Sequence, residues 1–377
     1  MPKKRMVVEA GPRPRYNVPM SAPLGRHTKA RLTDEATGRP VACQVLHGHL
    51  HWLLDYAPAG ADKAYVVEVD KGSVVTAPGV TATRKDDKIE FAIFGSPFTT
   101  YNFGKEWARP FFYPVLGPEG VQITRNYPLL EGVPGETTDH HHHKSIWVAH
   151  GDVNGVDNWS EEKDHGLQVS KRLKELVDGP VVAVLRQDLE WVSCRGKRVL
   201  AEEREVRIYA VPTSERVMDL TVTFKAPWEK VTFGDTKEGG ICSVRVATSM
   251  DGSRGGKIEN SYGATTEAEC WGRPAPWCDY SGPVGGKVVG IAIFDTPGNL
   301  RYPTTWHVRD YGLMTANPFG LSHFRPGSGE RGDHVLEKGG QLLFRYRIFM
   351  HLGDANQGHV RDKYHDYINP PKVRFEK

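Results

Sequence analysis

The chain has 377 residues, and its 49 basic and 46 acidic side chains leave a formal charge of only +3. That near balance argues against a nucleic-acid partner. A mean hydropathy of −0.48, with no run near the roughly twenty apolar residues of a membrane span, excludes an integral membrane helix. The five cysteines are odd in number and lack CxxC spacing, which favours free thiols over a disulfide framework or a zinc cluster.

Residues 1–25 are rich in Pro, Arg and Lys and read as a flexible tail, with Lys3, Lys4 and Arg5 as its solvated basic end. This segment has no apolar leader, so the expectation is a cytoplasmic protein, or a periplasmic or secreted one if a signal peptide has been removed. Residues 26–100 read as an N-terminal β-rich segment packed on a main domain at 101–377. Its strand signals run from Arg39 to Leu46, His49 to Leu54, Lys63 to Val69 and Ile89 to Phe94, parted by Gly and Pro. His47, His49 and His51 alternate there, and a strand surface explains them.

From Arg109 onward strand signals recur at Gly166 to Leu176, Pro180 to Val192, Val199 to Tyr209 and Val217 to Phe224. In the last of these Met218, Leu220, Val222 and Phe224 share one face against Asp219, Thr221 and Thr223, the pattern of a half-buried antiparallel strand. Leu342, Phe344, Tyr346, Ile348 and Met350 repeat it. Helical periodicity is confined to a short stretch around Asp362 to Tyr367. With 40 glycines and 26 prolines among many short strands, the fold class is all-β, a large antiparallel β-sandwich with few short helices.

Chemistry concentrates between Asp139 and Trp159, where five of the sixteen histidines, three aspartates and two tryptophans fall in twenty-one residues. If the stretch is extended, His140, His142 and Lys144 look one way and His141, His143 and Ser145 the other. Ile146, Trp147 and Val148 then read as buried strand, and Gly151 to Gly155 as a tight loop. Imidazole serves both as a metal ligand and as a proton carrier near neutral pH, so two chemistries compete. His140 and His142 with His150 or Asp152 supply the ligands for a divalent metal, though no HExxH spacing supports it. Otherwise His142, His150 and Asp152 act in acid-base work, with His140, His143, Asn154 and Trp159 binding a polar ligand. A histidine-rich turn with no ligand explains the run as well.

Two further segments suit the same site. In Thr305 to Tyr311, strand alternation puts His307, Arg309 and Tyr311 on one face and Trp306 and Val308 on the other, giving a proton donor, a permanent cation and a phenol together. Gly234 to Gly240 is a glycine-bounded turn that can present Glu238, first choice for a general base, and Asp235. Asn317 and His323 follow nearby. Indoles such as Trp147, Trp159 and Trp306 either stack on a sugar or fill the core.

The string from Asp139 to Trp159, with Arg109 to Pro114, Thr232 to Gly239, Trp306 to Leu313 and Ala316 to Gly320, resembles the bacterial "PmoA family", a group whose label refers to methane oxygenase and whose activity is unsettled. The chain departs from that pattern at His141, where Pro is usual, and at Thr296, where His is frequent. A weaker resemblance, at Leu336 to Gln341 running into a long alternating strand, is to galactose-mutarotase-like supersandwich proteins. It implies two large antiparallel sheets, one concave and lined by polar residues that hold a sugar.

The expected function is that of a carbohydrate-active enzyme, a hydrolase, lyase or epimerase, acting on a sugar or oxidised sugar by His and Glu acid-base chemistry. A small-molecule or oligosaccharide ligand is the partner. The alternatives are a metal-dependent enzyme built on the histidine cluster and a non-catalytic carbohydrate-binding protein. The cofactor and the oligomeric state are not legible in the sequence.

Overall fold

A computed structural model describes residues 3–72 and 79–376. Strands dominate it, and the helices are short, the longest being Val360–Ile368. No helix among the described residues is long and apolar enough to cross a membrane.

Two eight-stranded antiparallel sheets form the body of the molecule. The first runs, in spatial order, Trp306–Arg309, Leu313–Ala316, Gly239–Arg245, Ile146–His150, Phe111–Val115, Ser96–Asn102, Lys88–Ile93 and Val80–Lys85. The second runs Leu167–Val177, Val182–Val192, Arg198–Tyr209, Glu215–Lys225, Gln341–Leu352, Lys287–Phe294, Trp277–Val284 and Lys257–Asn260. Alternation sorts each strand into a core face and an outer face. Ile146, Val148, Cys242, Val244, Val308 and Met314 of the first sheet meet Leu185, Ile208, Leu220, Val222, Ile293 and Ile348 of the second in one buried core. The expected all-β sandwich is therefore the observed fold.

A second, separate core lies at the N-terminal end of the chain, where Met6, Val8, Leu32, Trp52 and Val67 pack between a five-stranded and a three-stranded sheet. This corrects the expected tail, since residues Lys3–Glu9 and Arg15–Pro23 are strands. The prolines of the second are tolerated because it is an edge strand, with ladder bonds on one side only. The first pairs on one side with Asp62–Val69 and on the other with the C-terminal strand Lys372–Glu376. Arg5, expected as part of a solvated end, is ion-paired with Glu35 and Glu376. The boundary at residue 100 also shifts. The strands Val80–Lys85, Lys88–Ile93 and Ser96–Asn102 belong to the first large sheet, so the N-terminal unit ends before them.

Candidate functional site

The outer face of the first sheet carries the residues with chemistry. Register places His307 opposite Thr315, Thr315 opposite Ser243, and Ser243 opposite Trp147, a row across four strands. One step along, Arg309 pairs with Leu313 and Leu313 with Arg245. Every one of these side chains alternates with core residues on its own strand. On this face Phe111, Trp147 and Leu313 of the sheet are buried in one cluster with Trp159, roofed by the partly buried Trp107, Leu129 and Tyr311.

The histidine run is not extended. His140 takes a left-handed φ of 46°, and the His143 amide donates to the His140 carbonyl at 3.0 Å, so residues 140–143 close a turn. Alternation therefore fails there, and His140 and His143, expected on opposite faces, stack in parallel with centroids 4.8 Å apart. His140 also stacks on Tyr311 at 4.8 Å, and His143 on Trp147 at 5.3 Å.

What holds this turn is Asp139. Its carboxylate accepts from Arg125 Nη1 at 2.6 Å and from Arg245 Nη2 at 2.8 Å, and it is bonded to His140 Nδ1. Burial raises the Asp139 carboxyl's pKa, but the His140 bond and the two guanidinium charges outweigh that and hold it far below the usual carboxylate range. Arg245 Nη1 in turn donates to His143 Nδ1 at 3.1 Å, and its guanidinium lies 4.8 Å from the centre of the Tyr311 ring. Arg309 lies over the same ring at 5.4 Å and is ion-paired with Glu267 at 2.9 Å. Burial raises the Tyr311 phenol to about 12, against the pull of the Arg309 and Arg245 charges.

His307 is 2 % exposed, and neither ring nitrogen has a hydrogen-bond partner. Burial pushes its pKa down to about 4, and the Glu238 carboxylate is the strongest charge working the other way. The Lys237 carbonyl also favours protonation, yet it already accepts from the Gly239 amide at 2.9 Å and Asn317 Nδ2 at 3.1 Å and makes no aligned bond to the imidazole. Glu238 is half-exposed and ion-paired with Lys237. Its charge also acts on Tyr311. His307, Glu238, Arg309, Tyr311, His140 and His143 are thus linked by contact or charge on one face.

The remaining expected residues sit elsewhere or are fully engaged. His150 shares the parity of Ile146 and Val148, so it points to the core side, where it packs on Phe233 and Phe319. Its Nε2 donates to the Gly234 carbonyl at 2.9 Å, and burial lowers its pKa to about 4. Asp152 caps a turn by accepting from the Gly155 amide at 2.8 Å. Asn154 bridges to Lys230 and Thr232 of the neighbouring segment. Asp235 accepts from the Gly332 amide at 2.8 Å and from the Ser322 amide, so it fastens a loop. Asn317 is buried and its side-chain amide donates to the Thr236 and Lys237 carbonyls, which fixes the segment that carries Glu238. His142 lies at the other edge of the roof against Trp159, with burial and the Arg109 charge lowering its pKa to about 3. Trp159 is buried, and its carbonyl accepts from Arg109 Nη2 at 2.6 Å.

Four residues escaped the sequence reading. Arg125, Arg245, Ser243 and Thr315 are wholly buried polar groups at the centre of the face. The signal for two of them was there, since Ser243 and Arg245 alternate with Cys242 and Val244. Among the described residues no group of three or more His, Cys, Asp or Glu side chains is arranged to hold a metal ion.

A model of a family of unknown function, DUF6807, matches residues 88–365. The chain belongs to that family. No curated protein matches it. The DUF6807 region contains every element of the site just described and begins within the first large sheet, beyond the N-terminal unit.

Proposed function

We propose that this DUF6807 protein is a carbohydrate-active enzyme whose site is the outer face of the first sheet, and that His307 and Glu238 exchange protons with a sugar or oxidised sugar bound there. The observation that carries the reading is His307, a buried imidazole with two unsatisfied nitrogens, on which the Glu238 carboxylate acts through its charge. Leaving a buried polar group unpaired costs roughly 1–3 kcal/mol, so such a residue is kept for something that arrives. The indole nitrogens of Trp107, Trp147 and Trp159 and Nδ1 of His142 are also buried without partners. Hydroxyl groups would satisfy donors of this kind, and the aromatic roof suits the C–H faces of a sugar ring. The weaker resemblance, to galactose-mutarotase-like sandwiches, supports the same substrate class.

With its pKa lowered to about 4, His307 enters neutral at pH 7 and serves first as the proton acceptor. The Arg309 guanidinium and the Tyr311 phenol, the latter raised to about 12, supply hydrogen-bond donors. The test is a panel of glycosides and 3-keto-glycosides, with and without divalent metals, scored by thermal shift and by product. His307→Ala and Glu238→Gln should each lower turnover by about 100-fold or more while the ligand-induced shift remains. Undiminished turnover in both variants would remove the acid-base assignment. A shift without turnover in the wild-type protein would make it a binding protein, and turnover only with added metal would favour the metal-dependent alternative.

A further inference from the structure

Hydrolysis of an acetal calls for two carboxyl groups about the scissile bond, roughly 5–9.5 Å apart, one of them free to give and take a proton. The segments that build this face bring in several carboxylates, yet nearly all are committed. Asp139 is locked between Arg125 and Arg245. Glu267 pairs with Arg309 and accepts from the Asp310 amide at 2.7 Å. Asp235 is spent on backbone amides, and Glu161 lies between Lys144 and Arg109. Asp251 is buried with one oxygen unpaired, but the cations acting on it are Arg245, Arg254 and Arg125. Glu238 is the carboxylate whose charge acts most strongly on His307, and its own partner is Lys237, not a second acid.

One unpaired imidazole, one carboxylate, a guanidinium and a phenol make a different kit. A base in a dry site with cationic and phenolic donors beside it is what removal of a proton from carbon requires, because the charge that develops lands on an adjacent carbonyl oxygen. Resting on the sugar-site reading above, we propose that this site abstracts the proton from a ring carbon adjacent to the carbonyl of a keto-sugar, and does not displace at an acetal carbon. The imidazole lone pair of His307 takes the proton. The C–H electron pair becomes the C=C bond of an enolate, and the carbonyl π pair moves onto oxygen, where Arg309 and Tyr311 donate hydrogen bonds. The enolate then collapses in one of two ways. It expels a β-oxygen substituent, whose C–O bond breaks and which leaves as the alcohol with the proton from the imidazolium, or it takes a proton back at carbon. Both are balanced without an oxidant or reductant.

Solvent exchange reads the first step directly. The full-length protein is incubated in D2O with methyl 3-keto-glucoside and, separately, with nitrophenyl glucoside, and proton NMR follows the sugar signals against a protein-free control. The expected result is loss of the C–H signal beside the carbonyl of the keto-sugar, slowed about 100-fold or more in His307→Gln, with ligand line broadening preserved in the variant. If His307→Gln does not fold, Arg309→Met serves instead, with a loss of about tenfold or more expected. Exchange that survives in the folded variant overturns the proposal. Release of nitrophenol from the plain glucoside without exchange of the keto-sugar overturns it too, while leaving a sugar enzyme in place. Absence of line broadening with either sugar removes the sugar site and this inference with it.

Discussion

Asp139 Oδ1 accepts from Arg245 Nη2 at 2.8 Å, a contact that joins the histidine turn to the strand Gly239–Arg245 of the first sheet across 106 residues of chain. Arg125 holds the same oxygen at 2.6 Å, so one carboxylate separates two guanidiniums that are both fully buried.

Removing that carboxylate leaves two buried cations facing each other. Asp139→Asn should destabilise the protein by about 1–3 kcal/mol, less than for a wholly enclosed pair because Asp139 is itself partly exposed. The stack of His140 on Tyr311 should loosen as well. Urea unfolding checks the first, and the ring proton shifts of His140 and Tyr311 the second. Unchanged shifts would mean that the turn holds itself.

Gly240 sits where a Cβ would run into the Thr315 hydroxyl, which is bonded to Ser243 Oγ at 2.6 Å in the row leading to His307. Gly240→Ala must therefore displace that row or the strand. A loss of about 1–3 kcal/mol is expected. Gly155→Ala, in open space but at a φ of +77°, is the control for backbone strain alone and should cost about 1 kcal/mol. Equal losses in thermal melting would show that the close approach to Thr315 has no consequence.

Much of the sheet pattern was legible, because period-2 alternation is a local signal. It read the Val217 to Phe224 and Leu342 to Met350 strands correctly and put His307 and Arg309 opposite Trp306 and Val308, as found. The same rule, applied to the strand Ile146–His150, would have sent His150 to the core side with Val148. Residue type outweighed parity there, and it misled. The turn at His140 had no local marker, for neither Gly nor Pro stands in it, and the two arginines that hold it lie outside the run. The N-terminal strands were hidden for a similar reason, since Lys3–Glu9 takes its partners from residues 62–69 and from the far end of the chain.

His150 makes stability depend on pH in a stated direction. Burial lowers its pKa from 6.5 to about 4, so between those values the unfolded chain binds the proton and the native protein does not. Stability is full above about pH 6.5 and falls as pH drops toward 4. At roughly 1.4 kcal/mol per unit, the contribution is about 3 kcal/mol. His150→Gln should be less stable at pH 7 but show a shallower decline from pH 7 to 5 by urea unfolding. A parallel decline would assign the acid sensitivity to other buried histidines such as His307.

Glu161 offers the opposite chemistry, a buried acid serving two cations. It pairs with Arg109 at 3.0 Å and with Lys144, both almost wholly enclosed, and so ties the histidine turn to the loop after Trp159. Burial lowers the Lys144 ammonium to about 8 even with Glu161 there to oppose it. Glu161→Gln removes that opposition, and a loss of about 3 kcal/mol at pH 7 is expected from two uncompensated charges. The native lysine then titrates lower still, while the unfolded one keeps a pKa near 10.5, so the unfolded state holds the extra proton in between. Stability of the variant should therefore recover as pH rises from 7 to 9, more steeply than in the wild-type protein. Arg109, which cannot deprotonate and keeps its bond to the Trp159 carbonyl, contributes no such recovery. A pH-independent loss in Glu161→Gln would place the whole cost on Arg109 and leave Lys144 out of the latch.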